Sequence, residues 1–280
     1  MSLAASPERM VPIISLASTK GGVGKTTMAY VLATELARRL KYENGHSRNG
    51  HGPNGHVQVP RGRVTCIDTD PNRTLSQILR LTDDKLITCI ESDGDQLLTD
   101  LRHALVDSAL VVIDLEGTAN QAMLYAAGKS DLVLVPAQPS RFDVVEAVKT
   151  VGVVRKAADL VGREIAHRVV LSRTPVLRQR VADHSRSQFV RADLPLLPVE
   201  LVQRAAFQSM TYTGKPPYLQ VGGEHAADNV ASLADEVLAI IGLHLPATTS
   251  AGETRTETTE TTSGRGPIPR FRMFNRLNDL

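Results

Sequence analysis

The stretch that most limits what this chain can become is Ser18–Thr27, STKGGVGKTT. It lies between a short apolar run, Val11–Ser18, and a pattern over Thr26–Leu40 that sets Met28, Leu32, Leu36 and Leu40 on one helical face. A buried strand, a glycine turn and a helix are therefore expected in that order. Gly21, Gly22 and Gly24 allow the backbone to turn with its N–H groups pointing inward, toward a phosphate chain, and the start of the helix adds a positive dipole end. Lys25 is spaced to reach the β- and γ-phosphates and the Thr26 hydroxyl to ligate Mg²⁺, while Val23 and Thr27 complete the cradle. Position 19 is Thr where the usual loop begins with Gly, and Lys20 follows it. A second lysine there folds back poorly onto its own phosphates but can reach a nucleotide held by a facing subunit.

Further apolar runs read as strands: Arg63–Asp68, Ala109–Leu115, Asp131–Ala137 and Ala166–Ser172. Amphipathic stretches separate them, among them Asp95–Asp107 and Phe142–Ala158. Continuous Val/Ile/Leu runs alternating with helices require a sheet covered on both faces. The fold class is α/β, a doubly wound, mostly parallel sheet. Residues 11–245 form this domain after an extension at 1–10. A polar insertion at 41–62 contains the repeat NGHSR-NGHGP-NGHVQ, which spaces His46, His51 and His56 five apart. Imidazoles at that spacing could bind a metal, but Gly and Asn hold ligands loosely, and a solvated loop is the simpler reading. Residues 246–265 include eight Thr among twenty and no large apolar side chain, and read as a flexible linker. A tail follows at 266–280.

With 32 basic and 30 acidic residues, bulk charge announces no partner, and an aromatic content of 4% argues against base-stacking platforms. Cys66 and Cys89 are too few and too far apart in sequence for a disulfide framework or a cluster site, and Cys66 reads as a small core residue. No apolar run approaches the roughly 18 residues of a membrane span, and residues 1–10 lack a signal-peptide core, so a cytoplasmic setting is expected.

Lys20–Thr27 resembles the deviant Walker A motif of the ParA/MinD family of dimerising ATPases. The resemblance implies a P-loop NTPase fold, ATP and Mg²⁺ as cofactors, and a homodimer in which Lys20 crosses to the partner's ATP. Cys66–Asn72, CIDTDPN, is similar to the family's segment after the second strand. It implies that Asp70, beside Asp68, helps position the attacking water and reaches Mg²⁺ through water. Asp114 matches the Walker B carboxylate that holds Mg²⁺ through water. Lys20 and Asp70 are thus the implied catalytic pair, and Thr26, Asp70 and Asp114 the metal set. Most members continue with Thr-Pro-Pro, whereas this chain reads Asp114-Leu115-Glu116-Gly117-Thr118-Ala119. That form, with Leu171–Thr174 and Arg204–Gly214, resembles plasmid-borne ParA-like proteins of the VirC type. Glu116 either contacts the hydrolytic water or pairs with a neighbouring base, the second being preferred. Redox, tyrosine-kinase and amide-synthetase relatives fit less well, lacking respectively a suitable cysteine pair, a C-terminal Tyr cluster and a recognisable substrate pocket.

Two segments bear on partners. Between Val161 and Arg191 seven arginines face Glu164 and Asp183, a local net charge of +5 in a chain whose total is +2. Arg173, Arg178, Arg180 and Arg186 are the candidate contacts to non-specific DNA, with nucleoid association as the consequence. The tail repeats Ile268, Phe271, Phe274 and Leu277 every third residue, with Arg270, Arg272 and Arg276 between them. Such a tail can dock on a partner protein or lie on an anionic membrane, for instance at a cell pole. A ParB-like DNA-binding adaptor that stimulates hydrolysis is a further implied partner.

Overall fold

The structure is a computed structural model, and it describes residues 11–46, 62–117, 121–177 and 180–247. Among these residues seven strands, β1 (Ile13–Leu16), β2 (Arg63–Asp68), β3 (Ile87–Glu91), β4 (Ser108–Asp114), β5 (Leu132–Ala137), β6 (Ala166–Thr174) and β7 (Leu201–Val202), lie in the order β3-β2-β4-β1-β5-β6-β7. Every neighbouring pair is parallel. The connecting helices are α1 (Lys25–His46), α2 (Thr74–Arg80), α3 (Leu97–Asp107), α4 (Gln121–Lys129), α5 (Arg141–Val161), α6 (Arg180–Arg191), α7 (Ala205–Thr213) and α8 (Glu224–Ile241).

Side chains alternate across β4, so Leu110 and Val112 join one core and Val111 and Ile113 the other. The first core packs against α1, α2, α7 and α8, and the second against α3, α4, α5 and α6. The doubly wound sheet expected from the alternating runs is therefore present, and it is wholly parallel among the described residues. Parallel strands all end on one side, and the ends of β1, β2, β4, β5 and β6 carry the phosphate loop, Asp68–Asp70, Asp114, Gln138 and Arg173 respectively. Such a carboxyl edge, where connections leave in opposite directions, is where open α/β sheets bind ligands.

Several features differ from the sequence-based expectation. The first helix continues past Leu40 to His46, since Lys41, Tyr42 and Glu43 contain no helix breaker. It is also buried on all sides from Met28 to Leu40, rather than on one face, because α8 covers the side away from the sheet. Strand β3 was not expected: as an edge strand it is only half-buried, and ITCIE lacks a continuous apolar run. It sets Cys89 beside Cys66 in register, so the two cysteines are distant in sequence but neighbours in space. Both are free thiols, and burial pushes Cys66 well above the usual range and Cys89 to about 12. His51, His56, most of the 246–265 segment and the 266–280 tail lie outside the described residues.

Candidate nucleotide site

The loop after β1 is built as its glycines require. Gly24 has φ 96°, in the region that side-chain-bearing residues avoid, and from it α1 begins with Met28 N–H donating to the Gly24 carbonyl at 2.9 Å. Ser172 Oγ of β6 donates to the Val23 carbonyl at 2.6 Å, tying the loop to the sheet. Gln138 Nε2, beyond β5, donates to the Gly22 carbonyl at 3.1 Å. Gly21 and Gly22 remain exposed, whereas Lys25 is 7% exposed.

Lys25 sits within the electrostatic reach of Asp114, Asp70 and Glu116; burial lowers its pKa and the three carboxylates oppose that shift. Asp114, 1% exposed at the end of β4, has no hydrogen-bond partner on either carboxylate oxygen. Burial drives its pKa up to about 7, against the pull of the nearby Thr26 hydroxyl and the Lys25 charge, with Asp68 and Asp70 reinforcing the rise. A buried carboxylate with no partner is costly to ionise, and a cation beside it would remove that cost. The residues therefore fit a Mg²⁺ ion held largely through water and phosphate. No cluster of three or more His, Cys, Asp or Glu arranged to hold a metal occurs among the described residues.

Asp68 and Asp70 divide their work. Asp68 is fully buried, accepts from Ser76 N–H at 2.9 Å and Asp70 N–H at 3.1 Å, and so caps α2 and shapes the turn. Burial nonetheless raises its pKa, with those two N–H groups opposing. Asp70 is half-buried and accepts from Asn72 N–H at 2.8 Å, which leaves its carboxylate on the site side near Lys25. Thr69 joins the ends of β2 and β4: its N–H and hydroxyl both reach the Asp114 carbonyl, and its Oγ1 accepts from Glu116 N–H at 3.0 Å. The turn after Asp114 then passes so close to the loop that a Cβ on Gly117 would sit 3.3 Å from Lys25 Nζ and 3.4 Å from Gly21.

Lys20 turns away from this group. Its Nζ donates to Asp143 Oδ2 of α5 at 2.8 Å. Thr19 is held by the same helix, through Glu146 and Thr150. The contacts of Gln138, Asp143, Glu146 and Thr150 with the loop were not foreseen. The one signal in the sequence, Ser140 three residues before Asp143, advertises only a helix cap, and that cap forms at 3.2 Å.

A cavity of about 490 Å³ opens beside the loop, lined by Gly24, Thr27, Arg173, Arg204, Phe207 and Tyr212 among others. Arg173, with φ 52°, therefore borders the phosphate loop. Arg186 is engaged by Asp183 at 3.0 Å and by Glu200. Arg180 opens α6 and its side chain is not described; Arg178 lies outside the described residues.

A family model described as VirC1 protein matches residues 101–231, from α3 into α8. Protein ParA of Rhizobium radiobacter is 28% identical over 207 residues, covering 73% of this chain and 84% of that protein. Among solved structures, a Cyanothece McdA–ATP complex superposes with a TM-score of 0.63 at 16% identity, over 84% of this chain and 98% of that one. MinD of Pyrococcus horikoshii complexed with Mg-ADP gives 0.57 at 17%, over 83% and 99%. The structural likenesses bear on the fold alone, and the sequence matches say what the chain is similar to. Together with the strand order and the loop, these matches make the chain similar to ParA/MinD-type P-loop proteins.

Proposed function

We propose that this chain is a Mg-dependent ATPase that dimerises on ATP, binds DNA without sequence preference, and partitions or positions plasmid or other DNA cargo in the cytoplasm. The observation that carries the nucleotide half is the unpartnered, buried Asp114 beside Lys25 at the mouth of a glycine loop. In this reading Gly21–Thr27 wraps the phosphates, Lys25 neutralises the β- and γ-phosphoryl oxygens, and Thr26 and Asp114 hold the metal. Mg²⁺, when bound, supplies charge neutralisation at the transferring phosphoryl group. Asp70 orients the attacking water, and Lys20 serves the partner's nucleotide. The cavity bordered by Arg173, Phe207 and Tyr212 takes the nucleoside. Support for the ATP assignment comes from relatives solved with ATP and with Mg-ADP.

The DNA half rests on the local charge of +5 between Val161 and Arg191. Arg178 and Arg180 are its main candidates, since Arg186 would first have to leave Asp183 and Glu200. A ParB-like adaptor would stimulate hydrolysis. Lys20→Ala and Asp70→Ala proteins should keep nucleotide binding and lose turnover.

The deciding experiment pellets the purified protein with non-specific DNA and with anionic liposomes, each with ATP or ADP. ATP-dependent DNA binding that weakens steeply with salt is expected. Liposome binding abolished by removing residues 266–280, with none to DNA, would replace this reading by a positioning ATPase acting on a membrane surface.

A further inference from the structure

The ion pair between Lys20 and Asp143 joins a partly exposed side chain to a buried one. The Asp143 side chain is 2% exposed and that of Lys20 is 37% exposed. Asp143 lies in the first turn of α5, where Ser140 Oγ accepts from its N–H and donates back to its Oδ2. Its other oxygen accepts from the Gln138 N–H at 3.1 Å. The carboxylate is thus aimed and immobilised by the chain on both sides of it. Without the ammonium it would remain buried and uncompensated in charge, an arrangement that strongly opposes release.

The loop that bears Lys20 is anchored independently of that side chain. Thr19 N–H donates to Thr150 Oγ1 at 3.1 Å, Thr19 Oγ1 to Glu146 Oε2 at 2.7 Å, and Gln138 Nε2 to the Gly22 carbonyl at 3.1 Å. Asp143, Glu146 and Thr150 follow one another at helical spacing, so one stripe of α5 fixes the loop's start and holds its lysine. The Lys20 side chain can therefore change partner by rotating about its own bonds, while Gly21–Thr27 keeps its shape.

We infer that Asp143 is an intrasubunit holding site for the Lys20 ammonium, which a nucleotide presented by a second copy of this chain must outcompete. This rests on the reading that Lys20 serves the partner's nucleotide. Only the released fraction of Lys20 is competent to cross, so the ion pair lowers the apparent affinity between subunits by that fraction. A triphosphate carries several negative charges against one on Asp143, and it can displace the carboxylate where a diphosphate does so less well. Asp143 in this way sharpens the dependence of assembly on ATP. It is a positioning residue acting through Lys20.

The test compares full-length wild type, Asp143→Asn, Asp143→Glu and Lys20→Ala by sedimentation across an ATP titration, with turnover measured in parallel. Asp143→Asn keeps the acceptor for Gln138 N–H and presents an amide N–H that Ser140 Oγ can accept, but loses the charge, and it should assemble at about tenfold lower ATP. Asp143→Glu, which restores the charge, should return toward wild type. A wild-type midpoint for Asp143→Asn, with Lys20→Ala inactive, overturns the holding site and leaves the role of Lys20 standing. Full activity in Lys20→Ala overturns that role instead. Should Asp143→Asn fail to fold, the nucleotide-free wild type still decides. Acylation of Lys20 by a lysine-directed reagent, followed by mass spectrometry, should be about fivefold or more slower than that of the exposed Lys129, and equal rates overturn the proposal.

Discussion

Two of the groups of buried charges among the described residues are built oppositely. On the α1–α8 side, Glu35 (1% exposed) binds Arg38 at 2.9 Å and Arg39 at 2.8 Å, while Arg39 (0% exposed) also reaches Asp235 at 2.5 Å and the Ala231 carbonyl at 2.9 Å. Arg38 further stacks over the Tyr218 ring, 4.5 Å from its centroid. Each of these four charged side chains has a partner within the chain. At the carboxyl edge of the sheet, Lys25 and Asp114 are as deeply buried, yet Asp114 has no hydrogen-bond partner and its pKa is raised. A satisfied buried cluster joins helices. An unsatisfied one of the same depth marks a candidate site for a ligand that would complete it.

The contrast can be broken from either side. Arg39→Ala leaves Glu35 short of a partner in the core and should destabilise the fold by about 3–5 kcal/mol. Urea denaturation measures this, and nucleotide affinity per folded molecule should not change. Asp114→Asn should do the reverse in nucleotide-free, Mg-free protein. Because the pKa of Asp114 is raised from 3.8 to about 7, the native state binds that proton more tightly than the unfolded chain. Wild-type stability from this group is therefore fully present below the unfolded pKa and is lost as pH rises through about 7. The asparagine variant escapes that loss, so its advantage grows from near zero at acid pH to on the order of 2–4 kcal/mol above neutrality, and denaturation at several pH values follows it. A smaller effect is expected at Gly117, whose Cβ position lies 3.3 Å from Lys25 Nζ. Gly117→Ala should displace that lysine and weaken ATP binding about fivefold, as titration calorimetry would record.

What could be read from the sequence follows how local each interaction is. The phosphate loop is a contiguous piece whose glycines, lysine and threonine would act on one ligand; Asp114 could be located because it ends an apolar run, and Asp70 because CIDTDPN resembles a family segment. Strand β3 escaped notice because an edge strand needs no unbroken apolar run, and β7 because its two residues are defined by pairing with Ser172 and Thr174 of β6. Arg39 reads as one more charge at the end of a helix, and only the packing of α8 shows it to be buried. The hold on Lys20 is further from view: its acceptor lies 123 positions away in the chain, under the guise of a helix cap. Among the DNA candidates, a count of arginines could not tell that Arg173 borders the cavity beside the loop or that Arg186 is engaged by Asp183 and Glu200.

The most direct test of the unsatisfied cluster as the nucleotide site is thermal denaturation of the wild type and of Lys25→Ala, each with and without Mg-ATP. At about 100 times the dissociation constant, ligand binding adds about 2.7 kcal/mol, which raises the wild-type Tm by roughly 5–10 °C. Lys25→Ala, which loses affinity by about 100-fold, should show little of that rise. A wild type indifferent to Mg-ATP, or a Lys25→Ala protein stabilised as much as the wild type, would contradict the account.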